Sequence, residues 1–94
     1  MSVLYVGIDV SSSNLVVCLM DTKGKQLGNF QTFENSLPEA EKLAQMIINN
    51  AKIIKADEIL IGTESTSVYD LHIVDFLASN ADLNQFGLSV FRIN

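Results

Sequence analysis

The chain has 94 residues, 48% of them hydrophobic, which limits it to one domain and supplies ample apolar material for a packed core instead of a disordered segment. Six Lys and Arg against eleven Asp and Glu leave a net charge of −5, so the domain has few cations to replace the counterions condensed on a nucleic-acid backbone. Cys18 is the single cysteine, which excludes an internal disulfide, and no apolar run approaches the roughly 18–20 residues of a membrane span, so a cytoplasmic location without membrane contact is expected.

Val3 to Val10 opens the chain as a continuous apolar run rich in β-branched and aromatic residues, the pattern of a strand buried on both faces. Asp9 lies near its far end, where a buried charge needs compensation, and a metal ion is the proposed reason for it. Ser11-Ser12-Ser13-Asn14 favours a turn, and Leu15 to Met20 reads as a second strand, so the two form a hairpin. Asp21 to Lys25 is the next turn, with Gly24 free to take positive φ. Gln26 to Glu34 begins by alternating and then slips in period between Phe30 and Phe33, which predicts a bulge or an exposed edge strand.

Ser36-Leu37-Pro38-Glu39 has capping-box spacing, and Ala40, Leu43, Ala44, Ile47, Ala51 and Ile54 recur at helical intervals behind it. A helix from about Leu37 to Lys52–Lys55 follows. Glu58 to Glu64 is a second short apolar run ending on a carboxylate, and the intervening helix makes it parallel to one of the earlier strands. Ser65, Thr66 or Ser67 is placed to cap the next helix, with Ser67 and Asp70 at capping-box spacing and Tyr69, Ile73, Phe76 and Leu77 as its inward stripe. Ser79-Asn80 is its stop, Asn80 to Gly87 a loop, and Leu88 to Ile93 the fifth strand.

The resulting order is βββαβαβ, an α/β fold with a mixed sheet and helices packed on it. Ligands of open α/β sheets gather at the carboxyl ends of parallel strands, where both Asp9 and Glu64 lie. Adjacent strands would bring the two acids to roughly 4–6 Å, where they share a proton or hold a cation. Hard oxygen donors with an incomplete shell suit Mg²⁺ or Mn²⁺, and two such ions activate a nucleophile and stabilise a leaving oxygen in phosphodiester chemistry. A turn role for each acid is the bland alternative.

Tyr5-Val6-Gly7-Ile8-Asp9-Val10-Ser11, Gly62-Thr63-Glu64-Ser65-Thr66 with Tyr69 behind it, and Val90-Phe91-Arg92-Ile93-Asn94 together resemble the N-terminal domain of the DEDD-type insertion-sequence transposases. These are relatives of the pilin-gene invertase, with a ribonuclease H-like catalytic domain similar to the RuvC Holliday-junction resolvase. The resemblance covers essentially the whole chain. It implies that Asp9 and Glu64 are the first two acids of a metal-binding tetrad, and that Asp70, Asp75 and Asp82 lie too early to be the others. It also implies that residues 1–94 are the N-terminal part of a RuvC-like domain, truncated before its final helix and lacking the downstream transposase domain.

For the full-length protein the resemblance implies Mg²⁺- or Mn²⁺-dependent DNA strand cleavage and transfer in transposition, a homo-oligomer, and in relatives a structured guide RNA; the fragment alone is expected to be inactive. Truncation before a last helix would leave one side of the sheet uncovered. Two other function classes compete with this reading: a nucleotide-binding domain of the actin and sugar-kinase class, and a non-catalytic interaction module. The first needs a glycine-bearing phosphate hairpin, and Val10-Ser11-Ser12-Ser13-Asn14 contains none.

The remaining polar and aromatic residues take plainer readings. His72 is a surface or packing residue, Cys18 a small core residue, and Ser11 to Ser13 a polar turn with no base in view. Thr66 and Tyr69 are adjacent to the substrate or orient Glu64, although Tyr69 fits the core stripe equally well.

Overall fold

Alternation within the strands decides the architecture of the computed structural model, which describes residues 2–65, 69 and 71–93. The elements are β1 (Val3–Val10), β2 (Asn14–Met20), β3 (Gln31–Glu34), α1 (Leu37–Ile53), β4 (Glu58–Ser65), α2 (Leu71–Ser79), a single 3₁₀ turn (Leu83–Gln85) and β5 (Gly87–Ile93). They form one five-stranded sheet in the order β3-β2-β1-β4-β5. β1, β2 and β3 are antiparallel neighbours, whereas β4 runs parallel to both β1 and β5. This is the βββαβαβ order of a ribonuclease H-like domain.

One face of the sheet is closed. Leu4, Val6, Ile8 and Val10 of β1 turn inward with Leu15, Val17 and Leu19 of β2 and Ile59 and Ile61 of β4. α1 packs on them through Ala40, Leu43, Ala44, Ile47, Ile48 and Ala51, a stripe whose three alanines let the helix approach closely. α2 adds Ile73 and Leu77, and the 3₁₀ turn adds Leu83, so the expected loop after α2 contributes to the core. The other face is open. Tyr5, Gly7 and Asp9 point to it from β1, so this strand alternates instead of being buried on both faces. The apolar run misled because its exposed positions are filled by a tyrosine and a glycine, which give no polar alternation to read.

Other local expectations are met in part. β3 is an edge strand reduced to four residues, since Gly28 takes φ 72° and only an isolated bridge from Gln26 to Met20 precedes it. α1 begins at Leu37 with Pro38 in its first turn, and the Ser36 carbonyl accepts the Ala40 N–H at 2.9 Å. The capping box itself does not close. Ser36 makes no side-chain cap, and Glu39 is paired with Lys42 at 2.9 Å, whose ammonium holds the Glu39 carboxyl below its ordinary range. Lys55 takes the left-handed conformation, φ 55°, and the Ala56 N–H reaches back to the Ala51 carbonyl, which turns the chain into β4. The Ser67–Asp70 capping box lies outside the described residues.

The lower ends of the three parallel strands are tied together. The Asp57 N–H donates to the Ser2 carbonyl, the Ser2 N–H donates to the Asp57 carboxylate, and the Gly87 N–H donates to the Asp57 carbonyl. These bonds pin the register of β1, β4 and β5 at the edge opposite the two sequence-predicted acids. No helix of the described residues is long and apolar enough to cross a membrane.

Candidate functional site

The pinned register places Asp9 directly beside Glu64, each six residues along from the Val3–Glu58 pair. Equal spacing means equal parity, so both side chains project from the open face, and both are exposed. β1 and β4 are two of the three inner strands, and both acids lie at their carboxyl ends, where parallel sheets gather ligands. Adjacent parallel strands are about 4.8 Å apart, so two carboxylates on Cα partners repel each other by roughly 1–3 kcal/mol, depending on how far water screens them. A divalent cation relieves that repulsion.

The donor set fits such an ion by its chemistry. Two carboxylates are hard oxygen donors, and they leave most of a six-coordinate shell for water or substrate, the mode in which Mg²⁺ is held by one or two acids. Among the described residues no third His, Cys, Asp or Glu joins them in a cluster. The pair stands at the rim of a cleft of about 240 Å³ on the open face, lined also by Gly7, Val16, Cys18, Phe30, Gly62 and Ile93.

The floor of that cleft is glycine. Gly7 and Gly62 are Cα partners two residues before Asp9 and Glu64, so the site is built from one Gly-x-carboxylate element used twice, at 7–9 and 62–64. This repeated spacing is visible in the sequence and was the available signal for two floor residues that the reading by charge alone passes over. The apolar walls from Phe30 and Ile93 had no such signal, because they come from a strand-flanking loop and from β5.

The other candidates fall elsewhere. Tyr69 is half exposed in a turn before α2 and takes no part in the helix's buried stripe, because α2 begins only at Leu71. Thr66 lies outside the described residues. His72 is exposed on α2 and lines a separate cavity with Asn35, Leu37, Ile73 and Phe76, on the helical side of the sheet. Cys18 is half-buried on the open face and lines the cleft, so it is not the core residue expected of a mid-strand cysteine; parity turns its neighbours Val17 and Leu19 inward in its place.

The turn between β1 and β2 bears on the nucleotide-binding alternative. The Ser11 N–H donates to the Asn14 carbonyl at 2.9 Å, and the Asn14 N–H donates to Ser11 Oγ at 3.0 Å. Asn35 closes the turn from outside, its side-chain amide donating to the Ser11 carbonyl and its N–H to that of Ser13. Two N–H groups that a phosphate-binding hairpin would present are therefore spent within the turn.

Comparison with known proteins agrees with this topology. A family model described as a transposase, that of the DEDD type of IS110, matches residues 6–89 and so takes in both Gly-x-carboxylate elements. No curated protein matches the chain. Among solved structures, a Bacteroides thetaiotaomicron protein of actin-like ATPase fold and unknown function superposes with a TM-score of 0.57 at 16% identity, over 97% of this chain and 32% of its own. A foamy viral protease-reverse transcriptase in complex with double-stranded DNA superposes with a TM-score of 0.56 at 9% identity, over 99% of this chain and 20% of its own. At such identities the likeness shows a shared fold core, and this chain spans a third or less of either relative.

Proposed function

The chain belongs to the DEDD transposase family of the IS110 type, and from that premise we propose that it is part of a catalytic domain in which Asp9 and Glu64 hold a divalent metal for DNA strand cleavage and transfer. The observation that carries this reading is the Asp9–Glu64 register: two exposed carboxylates on Cα partners at the carboxyl ends of neighbouring parallel strands. An unrelieved pair of this kind destabilises the fold, so it needs a purpose that outweighs its cost.

When bound, Mg²⁺ or Mn²⁺ supplies Lewis-acid polarisation of a phosphodiester and a more acidic bound water. The protein's share of the chemistry is geometric. β1 and β4 hold the two carboxylates on one face at strand spacing, the Gly7–Gly62 floor keeps side chains from filling the space beneath them, and Tyr69, exposed in the turn after β4, is a candidate contact to a bound strand, with Thr66 a second candidate on sequence grounds alone. In this reading the chain supplies two of the family tetrad's four acids, and among the described residues no third joins them, so no cleavage is expected of this chain on its own.

DNA is the substrate in this reading, and its backbone meets a domain of net charge −5. A divalent ion held by Asp9 and Glu64 would offset the repulsion between that backbone and the two acids, while most phosphate contacts and any recognition of a structured RNA would draw on cationic surface beyond the six Lys and Arg present here; the homo-oligomer of the full-length protein belongs to the same proposal.

The test is titration of the 94-residue chain with Mn²⁺, followed by paramagnetic broadening of amide resonances. Broadening centred on Asp9 and Glu64, and abolished by Asp9→Ala and by Glu64→Ala with the fold retained, is the expected result. Broadening centred on other carboxylates, or indifferent to both substitutions, would overturn the assignment.

A further inference from the structure

The two floor glycines are register partners but not equivalents. A Cβ added to Gly7 would meet nothing within 4 Å, whereas one added to Gly62 would lie 2.9 Å from Ile93 Cδ1 and 3.3 Å from Phe91 Cε2. Phe91 is the Cα partner of Gly62, so its contact is the ordinary one across neighbouring strands. Ile93 is the partner of Glu64. Its terminal methyl therefore reaches diagonally back across the register to Gly62.

We propose that Gly62 is a positioning residue for the carboxylate pair: its missing Cβ takes up the Ile93 methyl and so keeps the Glu64 carboxylate open to water and a cation. The inference rests on the metal reading of Asp9 and Glu64. The χ1 angle of a β-branched side chain is stiff, so a methyl displaced from Gly62 moves by rotation about χ2. The Phe91 ring lies 3.3–3.4 Å from the same Cβ position and closes that side; Glu64, the register partner of Ile93, stands on the other, and in this proposal the methyl turns there instead of outward to solvent. An apolar group there strips water from the carboxylate and from the shell of any ion it holds, the kind of outer-sphere change that alters metal affinity without touching a ligand.

The experiment measures Mn²⁺ affinity by water-proton relaxation in the 94-residue chain and its Gly62→Ala and Gly62→Ala/Ile93→Val variants. In parallel, nuclear Overhauser contacts of the Ile93 δ1 methyl are recorded where that methyl is present. Gly62→Ala is expected to weaken Mn²⁺ binding roughly tenfold and to move the methyl's contacts from the position-62 Hα to the Glu64 side chain. The double variant that lacks the δ1 methyl is expected to stay within about twofold of wild type.

A role in packing alone would move thermal stability and leave affinity in place. Wild-type affinity in Gly62→Ala, no rescue in the double variant, or a methyl that stays put overturns the proposal. Should Gly62→Ala fail to fold by circular dichroism, Ile93→Phe carries the same expectation, since a ring too large for the Gly62 gap crowds Glu64 from β5. A wild-type chain that binds no Mn²⁺ overturns the metal reading instead, and the methyl contacts still decide whether Gly62 sets the tilt of Ile93.

Discussion

The closed face of the sheet and its open face are built by the same five strands, yet their side chains have opposite tasks. On the closed face Leu4, Ile59 and Ile61 are fully buried under α1 and α2. One residue further along the same strands, Tyr5 is 37% exposed and the glycine pair and the two acids line an open cleft. Parity thus separates stability from chemistry: even a single step along β1 or β4 passes from a side chain that holds the fold to one that is available to a ligand. Substitutions on the two faces should separate in the same way.

The largest effect belongs to the closed face. Ile61→Ala removes a fully buried side chain from the middle of β4 and is expected to cost about 2–5 kcal/mol, read as a fall in the denaturation midpoint at unchanged slope. A cost below about 1 kcal/mol would mean that the site collapses freely and that the helical layer is not well packed on the sheet. Next comes Val17→Thr on β2, where a hydroxyl of nearly the same shape enters a position only 1% exposed. An unpaired hydroxyl there is expected to cost about 1–3 kcal/mol.

The open face should invert the sign. In metal-free buffer, Asp9→Asn or Glu64→Gln removes one of two like charges on Cα partners and is expected to raise stability by about 1 kcal/mol. Saturating Mn²⁺ should reverse the order, because an ion that binds only the folded wild type adds to its stability by mass action. Thermal melts of the three proteins with and without Mn²⁺ check both halves. Loss of stability in both variants without metal would show that each acid has a structural partner.

The extent to which these faces were legible in the sequence follows from the same physics. Helical periodicity from Ala40 to Ala51 and the capping residues before it located α1 almost to the residue, because an amphipathic helix writes its buried face at fixed intervals. The carboxylates stood out since acids are rare inside apolar runs, and a crossover through α1 implied a parallel pairing. β1 was misread as buried on both faces because Tyr5 and Gly7 do not look like solvent positions. The walls of the cleft were not legible at all: Phe30 and Ile93 reach it from distant parts of the chain, and only the sheet order brings them together. Glu39 shows a third kind of miss, a local motif whose geometry was available but whose side chain is taken by Lys42.

Cys18 offers the finest test of the division, with the smallest expected effect. It follows Val17 on β2, pairs in register with Gly7 and lines the cleft half-buried. Water reaches a hydroxyl at this position, so Cys18→Ser should change stability by no more than about 0.5 kcal/mol, in contrast to the neighbouring Val17→Thr. The two substitutions each add a hydroxyl, one residue apart, on opposite faces. A register slip of a single residue in β2 would exchange their results, since every side chain of the strand would then change faces. If Cys18→Ser instead costs as much as Val17→Thr, position 18 is shut off from water, and the open face ends at β1 before it reaches β2.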